Sequence, residues 1–203
     1  MKYVYASIAA FLVLAICYMG YGFIQMRAEA FKVYDVDPKF TYGAENADIS
    51  VIYFTNYECD ACREFHSVLL KSIKKDGKVR YIPRLVTKGY IWSETLAAAT
   101  YAAGEQGKFF EMHHAIYKGW PVKDKKKLFA YARALELDVE QFSRDITKPE
   151  IIDRVREDQT YFDMWQLPMI PSMIIGEAGI FYPMRDNNLP SVVDVLDKFD
   201  KAR

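Results

Sequence analysis

From Tyr3 to Met26 the chain carries no charged residue, and Lys2 and Arg27 bound the run. A bilayer-spanning helix needs roughly 20 apolar residues, whereas the apolar region of a cleaved signal is about 7–15 residues long. Residues 1–30 are therefore expected to form a transmembrane anchor. Lys2 and the free amino terminus argue for a cytoplasmic N-terminus. Ala28-Glu29-Ala30 offers a small-x-small cleavage point, so a long signal sequence is the alternative. Cys17 reads as a small apolar residue inside this helix. Residues 31–48 are polar and mixed, with Asp37-Pro38 and Gly43, and read as a linker with a short edge strand.

Beyond the linker the apolar spacing alternates between two periods. Ile49 to Thr55 is a compact run of strand length. Cys62, Phe65, Leu69 and Ile73 recur at three-to-four spacing and predict a helix from Cys59 to Lys75, stopped by Asp76-Gly77. Val79 to Val86 alternates as a strand, with Pro83 suggesting an edge or a bulge. From Ser93 to Asp158 the pattern is almost wholly helical, with Ser93, Asp124 and Asp138 as N-caps and Pro149 opening the last helix of the block. Ser172–Ile175 and Ile180–Tyr182 flank Gly176-Glu177-Ala178-Gly179 and read as a β-hairpin. Pro190 opens a closing helix with Val192, Val193, Val195, Leu196 and Phe199 at helical spacing. The order strand, helix, strand, helical block, hairpin, helix is α/β with a helical insertion.

Composition narrows the chemistry. The 203 residues hold 27 Lys plus Arg against 27 Asp plus Glu, so nothing directs the chain to nucleic acid. Aromatics make up 15%, enough for a well-filled core in one domain after the anchor. Apart from Cys17 the cysteines are Cys59 and Cys62, three apart. A pair that close shuts almost no loop and gains little as a staple, which favours a reactive role. A thiol at a helix N-terminus lies among unpaired N–H groups at the positive dipole end, and both favour thiolate. A second thiol one turn on can attack a mixed disulfide from the same chain, the minimum equipment for thiol–disulfide exchange.

The element order, with a cysteine pair at the first strand–helix junction, resembles the thioredoxin fold, and the large insertion resembles the DsbA-type disulfide oxidoreductases. The residues carrying the resemblance are Phe54-x-x-Tyr57-x-Cys59-x-x-Cys62, Ala134-Leu135-Glu136-Leu137-Asp138 followed by Phe142, and Leu167-Pro168-Met169-Ile170-Pro171-Ser172-Met173-Ile174-Ile175-Gly176. It covers about residues 49–202. The fold expected is a thioredoxin-like α/β domain with a large inserted helical domain at about 93–160, preceded by an N-terminal transmembrane helix.

The resemblance implies that Cys59 and Cys62 form a redox-active disulfide, with Cys59 the exposed nucleophile and Cys62 the resolving thiol. It also implies that Pro171 is cis and faces the pair, and that Ile170 offers main-chain groups to an extended substrate. No other cofactor and no metal is expected. Exported, unfolded or cysteine-containing proteins would be the substrates, and a membrane redox partner would recycle the pair. The expected location is a bacterial cell membrane, single-pass, with the catalytic domain on the periplasmic or extracytoplasmic side; a secreted periplasmic form after cleavage is the alternative. Disulfide formation is the leading activity, against a reductase or isomerase, or a polypeptide-binding module with an idle pair. A dimeric isomerase would need a dimerisation domain that residues 31–48 are too short to supply.

Two departures bear on the chemistry. Where well-known oxidants of the family carry Pro-His between the cysteines, this chain has Asp60-Ala61, with Glu58 alongside. Negative charge beside Cys59 opposes the thiolate, so the pair is expected to be less oxidising than the strong oxidants. Tyr53 stands where many relatives carry a buried glutamate that moves protons for the second thiol. Its plain reading is a core aromatic. His66, four residues past Cys62, could join the cysteines and His113 or His114 as a zinc site, but reads better as a polar helix residue near the rim. Of His113-His114, one ring is expected packed and one solvated. The basic run Lys123 to Lys127 reads as a solvated helix start.

Overall fold

The computed structural model describes residues 2–176, 179–184, 186 and 188–203, so the tip of the expected hairpin, Glu177 and Ala178, lies outside the described residues. The contacts divide the chain into two units, one ending at Asp35 and the other running from Val36 to Arg203. The first holds α1 (Lys2–Phe31). The stretch Phe11–Tyr34 is long and apolar enough to cross a membrane by length and composition. Phe11, Leu14, Ile16 and Phe23 expose their apolar side chains along α1, the reverse of a helix that packs into a core.

The second unit begins earlier than the expected boundary at 49. Its first stretch holds a 3-10 turn, Pro38–Phe40, and strand β1 (Tyr42–Gly43). Phe40 is buried because its ring packs edge-on against Tyr101 and Phe109, at 5.2 and 5.4 Å between centroids. A Cβ on Gly43, whose φ is +113°, would collide with the Val79 carbonyl; only glycine lets β1 lie this close to its neighbour.

Five strands form one sheet in the order β1-β3-β2-β4-β5. β2 (Ile49–Thr55) and β3 (Val79–Leu85) run parallel, joined by α2 (Asp60–Asp76). β4 (Ser172–Ile175) lies antiparallel to β2 and continues into β5 (Gly179–Phe181). A core of Val51, Tyr53, Phe65, Leu69, Val195 and Phe199 joins the sheet to α2 and to α8 (Val192–Lys201). Ser191 and Asp194 form a reciprocal capping box that starts α8.

Pro83 does not mark an edge strand, since β3 lies between β1 and β2. β1, however, pairs only with Arg80 and Tyr81 and ends before Pro83. Past it, the Leu85 N–H donates to Asp158 Oδ2 at 2.7 Å, so a helix side chain stands in for a strand.

The helical block contains α3 (Ser93–Gly104), α4 (Phe109–Lys118), α5 (Lys125–Ala134), α6 (Val139–Asp145) and α7 (Pro149–Met164). Asp124 and Asp138 cap α5 and α6 through the amides of Lys126 and Gln141, and Pro149 opens α7. Ser93 is the first residue of α3 rather than its cap, and is buried.

Two buried polar ties join this block to the sheet. In one, Asp158 of α7 accepts from Arg84 at 3.0 Å, from the Leu85 amide and from the Tyr101 hydroxyl at 2.5 Å. Burial pushes the Asp158 carboxyl above its ordinary value, while Arg84, Tyr101 and the Leu85 amide hold it down. The other tie lies beneath the cysteine pair.

Candidate active site

Cys59 is the N-cap of α2, with extended backbone and a sulfur that accepts the Cys62 N–H at 3.1 Å. The two cysteines are joined as a disulfide, Cα to Cα 5.2 Å. Cys62 is fully buried, whereas Cys59 keeps 9% of its surface exposed. An incoming thiolate therefore meets Cys59 first. The same geometry leaves an N–H at Cys59 Sγ, where negative charge appears once the bond is broken.

The loop before Cys59 is set by Asn56, which sequence reasoning did not single out. Its amide donates to the Val86 carbonyl at 2.6 Å, and its Oδ1 accepts from the Glu58 amide at 2.6 Å and from Ser93 Oγ at 2.9 Å. Asn before a turn is a common local signal, but partners 30 and 37 residues away are not visible in sequence.

The two acidic neighbours of Cys59 are both engaged. Glu58 Oε2 accepts from the Trp92 amide and from Ser93 Oγ, at 2.8 and 2.9 Å. It thus caps α3 from across the fold, a role the sequence assigned to Ser93. Asp60 pairs with Arg63 one turn along at 2.9 Å, on the exposed side of α2. Ala61 is partly buried against the core that contains both cysteines. Each carboxylate near Cys59 thus has a donor or cation of its own, which blunts the repulsion expected from charge alone.

On the opposite side, Phe54 pairs with Ser172, so Pro171 lies at the end of β2 that leads into Cys59. The Ile170-Pro171 bond is cis, and Ile170 packs against the core containing Cys59 and Cys62. The Trp120-Pro121 bond is also cis, which the sequence did not suggest.

Beneath the pair lies a buried network of rings. Tyr53 donates its hydroxyl to the Cys62 carbonyl at 3.1 Å, and burial pushes its pKa well above the ordinary value. His113 is fully buried: Nδ1 meets the Tyr57 hydroxyl at 2.8 Å and Nε2 meets the Tyr81 hydroxyl at 3.2 Å. Tyr57 also meets Thr100 at 2.8 Å, and Tyr117 bonds Thr55.

His66 corrects its sequence reading. It is not a rim residue but 3% exposed, stacked on Tyr117 at 4.4 Å and edge-on to His113 at 5.0 Å. Burial, and then His114, lower its pKa to about 3. The ring was misplaced because α4 covers this face of α2, a contact no local pattern reports. His113 is buried and His114 exposed, as expected of the pair. Among the described residues no three His, Cys, Asp or Glu side chains are grouped to hold a metal ion.

Residues 35–195 match the family model described as Thioredoxin. The chain is 18% identical to the thiol-disulfide exchange protein alpha-DsbA2 of Wolbachia pipientis, over 89% of this chain and 98% of that one, with a TM-score of 0.71. It is 25% identical over 151 residues to a probable disulfide bond formation protein D of Bacillus anthracis, covering 66% of this chain and 68% of the relative. It is also 24% identical over 171 residues to a Na(+)/H(+) antiporter NhaA 3 of Salinispora tropica, covering 83% of this chain but 26% of the antiporter. The chain spans about a quarter of the length of such antiporter relatives. It belongs to the thioredoxin family, and its fold is of the DsbA type, with the helices inserted between β3 and β4.

Proposed function

We propose that this DsbA-type member of the thioredoxin family is a thiol:disulfide oxidoreductase that uses Cys59 and Cys62 to form disulfides in exported proteins. The observation that carries the reading is the disulfide at the start of α2, in which Cys59 keeps a little surface and has an N–H aimed at its sulfur while Cys62 is fully buried. A substrate thiolate attacks Cys59 Sγ; the S–S bond breaks and its electron pair goes to Cys62 Sγ. A second substrate thiolate attacks the substrate sulfur of the mixed disulfide, and Cys59 leaves as thiolate. Substrate loses two electrons and the enzyme gains them. A membrane redox partner then removes them.

Ile170 would offer its main chain to the extended substrate, with Pro171 closing that side of the site. The apolar helix holds the domain at the membrane, with Lys2 inside and the cysteines outside the cytoplasm. Unfolded or cysteine-containing exported proteins are the substrates. Ion transport is not carried over from the antiporters, because this chain corresponds to about a quarter of such a protein.

Cys59→Ser should abolish oxidation of a reduced dithiol peptide; a variant that still turns over would overturn the reading. Equilibration with glutathione sets the direction. A potential below roughly −120 mV is expected, lowered by the acidic neighbours of Cys59 to the extent that their own partners, Ser93, the Trp92 amide and Arg63, leave their charge felt. If Cys59 and Cys62 are mostly reduced in the cell, the enzyme is a reductase or isomerase instead.

A further inference from the structure

Resting on that exchange reading, we propose that His66 is the positioning residue that passes a proton to and from the buried Cys62 sulfur, with His114 as its link to solvent. The need arises from burial. When Cys59 is attacked, Cys62 becomes a thiolate in a fully enclosed position and must be protonated. Tyr53, the polar side chain that bonds the Cys62 main chain, cannot exchange that proton readily. Its hydroxyl is committed to the Cys62 carbonyl, and burial drives its acidity down.

His66 lies one helical turn past Cys62 on the buried face of α2, a spacing that places Cβ atoms roughly 5–6 Å apart. Both its ring nitrogens are buried and, among the described residues, neither has a hydrogen-bond partner. That contrasts with His113, 5.0 Å away, both of whose nitrogens are held by tyrosine hydroxyls. A buried imidazole left with a free donor and a free acceptor is costly unless it has a task.

The groups around His66 decide which task is available. From α4 it faces His113, Tyr117 and His114; behind His113 stand Tyr57 and Tyr81. Burial keeps His113 and Tyr117 neutral, and Tyr117 is bonded to Thr55. No carboxylate is among these neighbours, so His66 has no partner that would favour an imidazolium. A neutral ring can still relay by changing tautomer. In the disulfide form neither nitrogen bonds a sulfur; once Cys62 is a thiolate, one nitrogen turns to it and gives its proton as the other takes one from the side of His114, which is exposed and 5.8 Å from His66 between ring centroids. The ring stays neutral throughout. The proton gained by Cys62 replaces the one the substrate thiol lost to water. Reoxidation runs the relay backwards.

The test uses the full chain in detergent and single-turnover reduction of the oxidised protein by dithiothreitol, in water and in deuterium oxide, across pH 5 to 9. His66→Phe, which keeps the ring and removes the nitrogens, should slow reduction about tenfold or more and change both the solvent isotope effect and the pH profile. His114→Gln, on the exposed side of α4, should slow it less and shift the same profile. Unchanged rate, isotope effect and profile in a folded His66→Phe protein would overturn the proposal. If that variant does not fold, an unchanged profile in His114→Gln overturns it. Failure of the exchange reading looks different: the wild type would be reduced by dithiothreitol yet transfer no disulfide to a reduced peptide.

Discussion

The inserted helices are tied to the sheet in two places, and the ties differ in kind. The Arg84–Asp158 tie is ionic, nearly sealed from water and completed by Tyr101 and the Leu85 amide. The tie under the cysteines, through His113, Tyr57, Tyr81, Tyr117, Thr55 and Thr100, is built from groups that burial keeps neutral. The first lies at the far side of β3 from β2, where β1 has ended. The second lies where sulfur must gain and lose charge. A fixed ion pair beside Cys62 would bias its protonation state, whereas neutral rings support the fold without imposing a charge on the chemistry.

The comparison is broken most sharply by removing one charge. Asp158→Ala takes from buried Arg84 the carboxylate 3.0 Å away, leaving the half-exposed Glu157 at 4.0 Å, and also removes the acceptor of the Leu85 amide; it should cost about 3–5 kcal/mol, read from urea unfolding. Arg84→Met together with Asp158→Leu should recover part of that loss: the apolar pair removes the uncompensated charge, but the Leu85 amide and the Tyr101 hydroxyl still lose their acceptor. A double variant no better than the single would mean that the tie acts through shape rather than charge.

Acid acts on the two buried histidines beneath the cysteine pair. In the folded chain His66 resists protonation down to about pH 3, and His113 titrates well below its ordinary value of 6.5. Below about pH 6.5 the unfolded chain binds protons there that the folded chain refuses. Stability is therefore complete above that pH and falls as pH drops through it, by up to about 1.4 kcal/mol per pH unit for each histidine. Unfolding midpoints at pH 7 and pH 5 measure the slope. His66→Phe should flatten it by about half, and an equal slope in that variant would exclude His66 as a source.

A smaller effect comes from one neutral hydroxyl, which meets both His113 and Thr100. Tyr57→Phe leaves His113 Nδ1 unpaired and should cost about 1–2 kcal/mol, with the pH slope retained. A loss as large as that of Asp158→Ala would erase the distinction drawn between the ties.

Much of the architecture was legible in order. The compact apolar run Ile49–Thr55, the three-to-four spacing of Cys62, Phe65, Leu69 and Ile73, and the caps Asp124, Asp138 and Pro149 are local signals, and the elements formed where those signals lie. The cysteine pair announced the site because its chemistry is written in adjacent residues. Charge near the pair was legible as composition but not as geometry: Glu58 turns to α3 and Asp60 to Arg63.

Sequence by itself determined the element order, the redox-capable pair at a helix start and the apolar N-terminal run, because each depends on residues a turn or a strand apart. The tertiary structure alone decided what surrounds the pair. Asp158 reaches Arg84 across 74 residues, and His113 reaches Tyr57 across 56. Whether a histidine is solvated or buried, and whether a carboxylate faces a thiol or a helix end, is set by which distant segment excludes water there, and no local period encodes that.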